Sequence, residues 1–486
     1  MINWGEITKQ FQHIPEDPML FHQGIFLFLF AIFLIGYSFV AKTKGPREYL
    51  IIAFSAYFYF KASGIFLLLL LLTISADYLF SMWIERQQNE RRKKWILTAG
   101  ILFSLSFLLY FKYKNFFLSN VNVLTGSKHT LSELILPIGI SFYTFQSISY
   151  MVDVANKQVK RPAFRNYLMY MMFFPHLVAG PIVRARDFLP QLKKKFSLNG
   201  AQFNEAFYLI FKGLIKKAII ADYVAQYSDI VFSAPDGFSG SELILASLCY
   251  TLQIFCDFSG YTDMAIGVAL LLGYRLCLNF DSPYKAMDIT NFWRRWHISL
   301  SSWLRDYIYI PLGGNRRGFL LQLLFLLVTM LVGGFWHGAD WKFVFWGAGH
   351  GVLLILHKLW VKFTGKRWDN SWYNTISWTF TFVCVSLLWI PFRATSMEMT
   401  WSIYTRIFSS SNLQMVWAVM ETNPTLIVLL ILGYGLTLIP SNWKEKVVTY
   451  ISGQDLLMKF AMMIVVIQVI IQMRSSVVQP FIYFQF

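Results

Sequence analysis

Residues 319–341 read FLLQLLFLLVTMLVGGFWHGADW. From Phe319 to Phe335 only Gln322 and Thr329 interrupt an otherwise apolar and glycine run, and its length approaches the roughly 20 residues that carry a helix through hydrocarbon. The run ends on His337, an ionisable ring where an apolar solvent would exclude one. Similar runs recur on both sides, at Gly24 to Val40, Ile65 to Ile74 and Leu426 to Ile439 among others. The composition agrees: of 486 residues, 56% are hydrophobic, 18% aromatic and 14% charged, whereas a soluble globular chain is about 45–50% apolar and about 25% charged. The reading is an all-α, polytopic integral membrane protein.

The net charge of +17 does not indicate nucleic acid, because the basic residues lie in short segments between apolar runs and not on one folded surface. These segments are Lys42 to Arg47, Arg86 to Lys94, Lys157 to Arg165, Arg184 to Lys195, Arg294 to Arg317, Lys358 to Arg367 and Lys444 to Lys446. Placed on the cytoplasmic side by the positive-inside rule, they predict an external N-terminus, an external C-terminus and roughly eleven to twelve transmembrane helices. Residues 1–18 carry acids and two prolines and lack a basic start followed by an apolar stretch, so they read as an external segment, not a cleaved leader. Tyr167 to Ile182 is short, flanked by basic residues and broken by Pro175, Gly180 and Pro181, which predicts a re-entrant loop. Leu243 to Leu272 is expected to cross once, interrupted at Asp257, Ser259 and Gly260, with Asp257 and Asp263 capping or packing at the break. Residues 281–317 are expected on the cytoplasmic surface, with Arg294 to Gly314 forming an interfacial amphipathic helix. No separate soluble domain or repeat is evident, so the whole of 1–486 is read as one membrane domain.

The four cysteines, Cys249, Cys256, Cys277 and Cys384, lie in or beside apolar runs without metal-ligand spacing. They read as buried thiols, with no metal site expected. Histidine carries the more informative signal, because a polar side chain at membrane depth marks a cavity, a partner or a reaction site. His337 sits in GGFWHGADW, His350 in WGAGHG, and His297 in NFWRRWHISLSSWLRDYIYIPLGG. A helix-end histidine bonded to backbone remains the alternative for His337, and His350 has no role that its context assigns. His176 and His357 read as structural.

FWRRWHISLSSWLRDYIYIPLGG followed by WHG resembles the membrane-bound O-acyltransferase family, in its bacterial branch of alginate and peptidoglycan O-acetylation and teichoic-acid D-alanylation. The resemblance extends to LPIGISFYTFQSISYMVD (Leu136 to Asp153), FFPHLVAGPIVR (Phe173 to Arg184) and QIFCDFSGYTDMAIG (Gln253 to Gly267). It implies a helical fold with a tunnel through its core, His337 as the catalytic base and His297 as the second motif histidine, either catalytic or shaping the donor site. A neutral imidazole with a pKa near ~6.5 is suited to taking a proton from an attacking hydroxyl. The resemblance further implies an acyl thioester donor, acetyl-CoA in the alginate branch or an acyl carrier protein in the D-alanylation branch, with no permanently bound cofactor. Arg294, Arg295, Trp296 and Arg305 are the candidates on the donor side, although arginines there satisfy lipid headgroups equally well.

The terminal FIYFQF, residues 481–486, is by composition an aromatic interface anchor. It is similar to the C-terminal motif of bacterial members of the family, which implies that Tyr483 receives the acyl group on the outer side. An extracytoplasmic SGNH/GDSL-like transferase partner would then pass it to a cell-envelope or secreted polysaccharide, which places the chain in a bacterial inner (plasma) membrane. A transporter or flippase of an envelope polysaccharide pathway, or a noncatalytic scaffold, are the competing readings. A transporter normally shows two similar halves, and no internal repeat is found.

Overall fold

The computed structural model describes residues 12–14, 18–365 and 370–473. Among the described residues all regular structure is helical, without a strand. Most of residues 1–18 and all of 481–486, Tyr483 included, lie outside them. The chain divides into two compact units, one formed by residues 1–206 with 265–277 and the other by 207–264 with 278–486.

The first unit shows how the apolar runs are used. In the helix Gly24–Val40 the buried residues are Phe26, Phe30, Phe33 and Tyr37, a spacing that places them on one helical face. Their rings pack in succession, with centroids 5.4 Å apart for Phe26 and Phe30, 5.9 Å for Phe30 and Phe33, and 5.8 Å for Phe33 and Tyr37. The other face exposes Phe28, Ile32, Ile35 and Phe39, the last at 82%. A helix apolar on both faces, one packed and one bare, has lipid as its outer solvent. The helix Phe66–Arg86 carries one carboxylate inward, Asp77, which accepts hydrogen bonds from Ser104 (2.9 Å), Ser147 and Tyr167 (3.5 Å).

Seven helices among the described residues are long and apolar enough to cross a membrane, or eight if the bent pair Leu413–Thr422 and Pro424–Leu438 forms one span. The protein is a multi-pass membrane protein. Two further helices are shorter: Gly24–Val40 has 17 residues, and Ile140–Ala155 has 16, nearly all buried. Ile140–Ala155, sheathed by its neighbours, needs neither the length nor the apolarity of a helix bathed in lipid. The stretch expected as re-entrant is a nine-residue helix, Phe164–Met172, broken at Phe173 and followed by the short turn Phe174–Leu177. Pro175 stands at the start of that turn, where its missing N–H removes no helical bond.

The predicted interruption at Asp257, Ser259 and Gly260 is absent: Gly240–Leu271 is one continuous helix of 32 residues. Its two carboxylates neither cap nor mark a break. Asp257 pairs with Lys217 at 2.5 Å, and Asp263 with Lys212 and Lys216, each at 2.9 Å. These lysines come from the neighbouring helix Gly200–Leu214 and the π-helical segment Ile215–Ala221 that continues it. Glycine has a packing role at this crossing. A Cβ on Gly260 would stand 2.8 Å from the Gly213 carbonyl oxygen, and one on Gly213 would stand 2.6 Å from that of Gly260. Two bare backbones let the helices approach closely enough for the ion pairs to form.

Candidate active site

The site is built in the second unit. His337 is the last residue of the helix Phe319–His337, and the chain turns at Gly338 into extended backbone before Asp340 caps the next helix, Trp341–Thr364, by accepting from the Lys342 N–H at 2.9 Å. The two helices meet through glycines. A Cβ on Gly334 would collide with the Phe343 carbonyl oxygen and come within 3.0 Å of the Gly347 Cα, while one on Gly347 would collide with the carbonyl oxygen of Met330. This close approach sets Trp346 against His337, ring centroids 5.0 Å apart and nearly perpendicular. Phe392, from the helix Ser371–Arg393, closes another side at 5.1 Å.

His297 arrives from a different direction. The region expected to form one amphipathic helix from Arg294 to Gly314 is broken instead into Ile289–Arg295, Ile298–Leu304, a π-helical turn Arg305–Tyr309 and a final turn at Ile310–Leu312. The break falls at Trp296 and His297, and His297 adopts φ 42°, in the left-handed region that a non-glycine residue rarely occupies. The surrounding structure has to hold such a conformation. Asn279 does so: its carbonyl accepts from the Ile298 N–H at 2.9 Å, and its side-chain oxygen accepts from the Ser299 N–H at 3.2 Å and the Ser299 hydroxyl at 2.7 Å. The strained corner turns the His297 ring into the protein, against Phe258 at 4.7 Å and with its centroid 6.5 Å from that of His337.

Both imidazoles are buried, His297 at 0% and His337 at 3% exposure. Burial pushes the His297 pKa down to about 3, because a low-dielectric site disfavours the cation. A ring held neutral so far below neutrality is a weak base, better suited to offering or receiving a hydrogen bond than to taking a proton for long.

The donor-side candidates separate. Arg294 and Arg305 are exposed, Arg305 beside Asp306 at 2.8 Å. Arg295 is turned back onto the chain, donating to the Asn291 side chain at 2.5 Å and the Asp281 carbonyl at 3.0 Å. Trp296 is an interior residue, 2% exposed, stacked with Phe292 at 5.5 Å and packed on Trp389 at 4.8 Å. His176 is bonded to the Tyr170 carbonyl at 2.9 Å, and His357 bonds the Thr290 hydroxyl at 2.8 Å. Each therefore has a local structural partner. Asn279, Phe258, Trp346 and Phe392 were not among the sequence candidates. Only Asn279 left a trace, in the turn-forming run Asn279 to Pro283.

A family model described as the membrane-bound O-acyltransferase family matches residues 52–398, a range that includes both His297 and His337. The chain belongs to that family. Over 423 residues it is 37% identical to a protein of Azotobacter vinelandii named probable alginate O-acetylase AlgI, covering 83% of this chain and 80% of that one. The peptidoglycan O-acetyltransferase of Helicobacter pylori is 36% identical over 412 residues, 78% of each chain. A teichoic acid D-alanyltransferase of Streptococcus thermophilus is more distant, 26% identical over 302 residues and 58% of this chain. As a member of the family, with relatives named O-acetylase and O-acetyltransferase, the protein is an O-acyltransferase.

Proposed function

We propose that the protein moves an acetyl group from a cytoplasmic thioester, acetyl-CoA, to an acceptor on the outer side of the bacterial inner membrane, for O-acetylation of an envelope or secreted polysaccharide. The observation that carries this reading is the pair of buried imidazoles, His297 and His337, brought to 6.5 Å of each other by separate helices. The names of the relatives, which specify alginate and peptidoglycan O-acetylation, support the acetyl group and the polysaccharide.

In the reaction His337 accepts the proton of an acceptor hydroxyl as its oxygen attacks the thioester carbonyl. The tetrahedral intermediate collapses, an ester forms, and the C–S bond breaks. The thiolate takes the proton back from the imidazolium and leaves as CoA thiol. The helix end favours this cycle, since the carbonyls at a helix C-terminus stabilise a cation that forms there. His297 positions the reacting groups, and exposed Arg294 and Arg305 meet the donor phosphates. The first acceptor is the hydroxyl of Tyr483, and an SGNH/GDSL-like partner outside the membrane completes the transfer.

The test is His337→Ala expressed in cells that lack the native copy, with ester-linked acetate on the purified polysaccharide as the readout. Loss by about 10²–10⁴-fold is expected for removal of a general base. Acetate at the wild-type level, with the variant present in the membrane, would overturn the reading.

A further inference from the structure

On the helix Trp341–Thr364, four residues beyond Trp346, lies a further buried histidine that the mechanism does not use. His350 is 0% exposed and sits among Trp346 at 4.7 Å, Trp293 at 5.0 Å, Phe292 at 6.1 Å and Trp389 at 6.3 Å between ring centroids. Neither of its ring nitrogens has a hydrogen-bond partner among the described residues, and the same holds for the indole nitrogens of Trp293 and Trp346. Trp346 is 1% and Trp293 8% exposed, and their rings are 5.7 Å apart.

Buried polar groups are rarely left unpaired, because each forfeits its bonds to water on burial. Here three rings in mutual contact do so together. A merely structural histidine is expected to find a carbonyl or hydroxyl, as His176 and His357 do. The unpaired set also has a definite chemistry: two indole N–H donors, and one imidazole that supplies a donor and an acceptor. No charge is among them, so a charged ligand would not be matched. An uncharged group with a carbonyl oxygen would be, and Trp346 puts the set one ring away from His337.

We propose that His350, Trp293 and Trp346 form an interior hydrogen-bonding subsite that holds a carbonyl-bearing, uncharged part of the acyl donor beside His337. This rests on the acetyl-CoA reading and adds to it a positioning role for residues that reading does not use. The thioester carbonyl and the two amides of the pantetheine arm are the groups of the donor with the required chemistry. The charged nucleotide end is not.

The experiment measures binding of radiolabelled acetyl-CoA to the full-length protein in detergent, with 3′-phosphoadenosine 5′-diphosphate, the nucleotide end alone, as a competing ligand. His350→Phe keeps an aromatic ring and removes both nitrogens. Trp293→Phe keeps a ring and removes the N–H. Each is expected to weaken acetyl-CoA about ten-fold while the nucleotide competes as it does with wild type, and His350→Gln, which retains a donor and an acceptor, is expected to recover most of the loss. Unchanged acetyl-CoA affinity in both phenylalanine variants would overturn the subsite, as would equal weakening of the two ligands, which marks a general structural effect or a bound water only. Failure of the wild-type protein to bind acetyl-CoA would instead overturn the donor assignment beneath it.

Discussion

His297 and His337 face each other with ring centroids 6.5 Å apart, and the corner that aims His297 is a left-handed residue clamped by Asn279. Asparagine tolerates that backbone region better than most residues. His297→Asn should therefore keep the corner while removing the imidazole. Its linkage to pH has a definite sign. In the folded chain the ring stays neutral down to about 3, whereas an unfolded histidine titrates near ~6.5. The unfolded chain binds the proton first, so this group's contribution to stability is complete above the unfolded value and is lost as pH falls toward the folded one, by at most about 1.4 kcal/mol per pH unit. The drop in melting temperature between pH 7.5 and pH 5 should be smaller in the variant than in wild type. An identical drop would mean that His297 is not held neutral.

Gly347→Ala tests the geometry that puts Trp346 against His337. Its new methyl would meet the Met330 carbonyl oxygen and stand 3.1 Å from the Gly334 Cα, so the helices Phe319–His337 and Trp341–Thr364 must separate. Overpacking of this kind costs about 1–3 kcal/mol. Activity should fall further than this loss of stability explains, since misplacement of reacting groups by ~1 Å costs about 10²-fold. Full activity at a lowered melting temperature would show that the spacing of these two helices does not position the proposed base, His337.

The pair of Lys217 and Asp257 is nearly sealed, with side-chain exposures of 1% and 4%. Lys217 also meets Asp222 at 2.8 Å, so Asp257→Asn leaves the lysine one of its two countercharges and should destabilise by less than the roughly 3–5 kcal/mol typical when a buried ion loses its partner outright. Lys217→Met, which removes the cation that both Asp257 and Asp222 meet, should cost more than Asp257→Asn, because it strands buried negative charge. Thermal unfolding in detergent measures both. A single variant as stable as wild type would show that the pair is not what holds this crossing.

Tyr483→Phe separates the two readings of the tail. It keeps the aromatic anchor and removes the hydroxyl that would carry the acetyl group. Polysaccharide acetylation should be lost while donor binding is kept. Acetylation at the wild-type level would exclude the covalent relay.

The amino-acid sequence alone determined the membrane environment and the helical class, because long apolar runs leave only a few ways to satisfy a backbone in lipid. It also singled out His297 and His337, through motifs local enough to be recognised as strings. It misplaced what depends on neighbours. Asp257, Ser259 and Gly260 look like a break in an apolar helix, yet the helix is continuous because three lysines from an adjacent segment neutralise its carboxylates and Gly213 admits its backbone. The stretch from Arg294 to Gly314 looks like one surface helix, yet the fold breaks it at His297 and turns that ring inward. Which polar residues share a site, and whether a carboxylate meets a cation or nothing, is set by contacts between segments far apart in the chain. Only the tertiary structure could decide it.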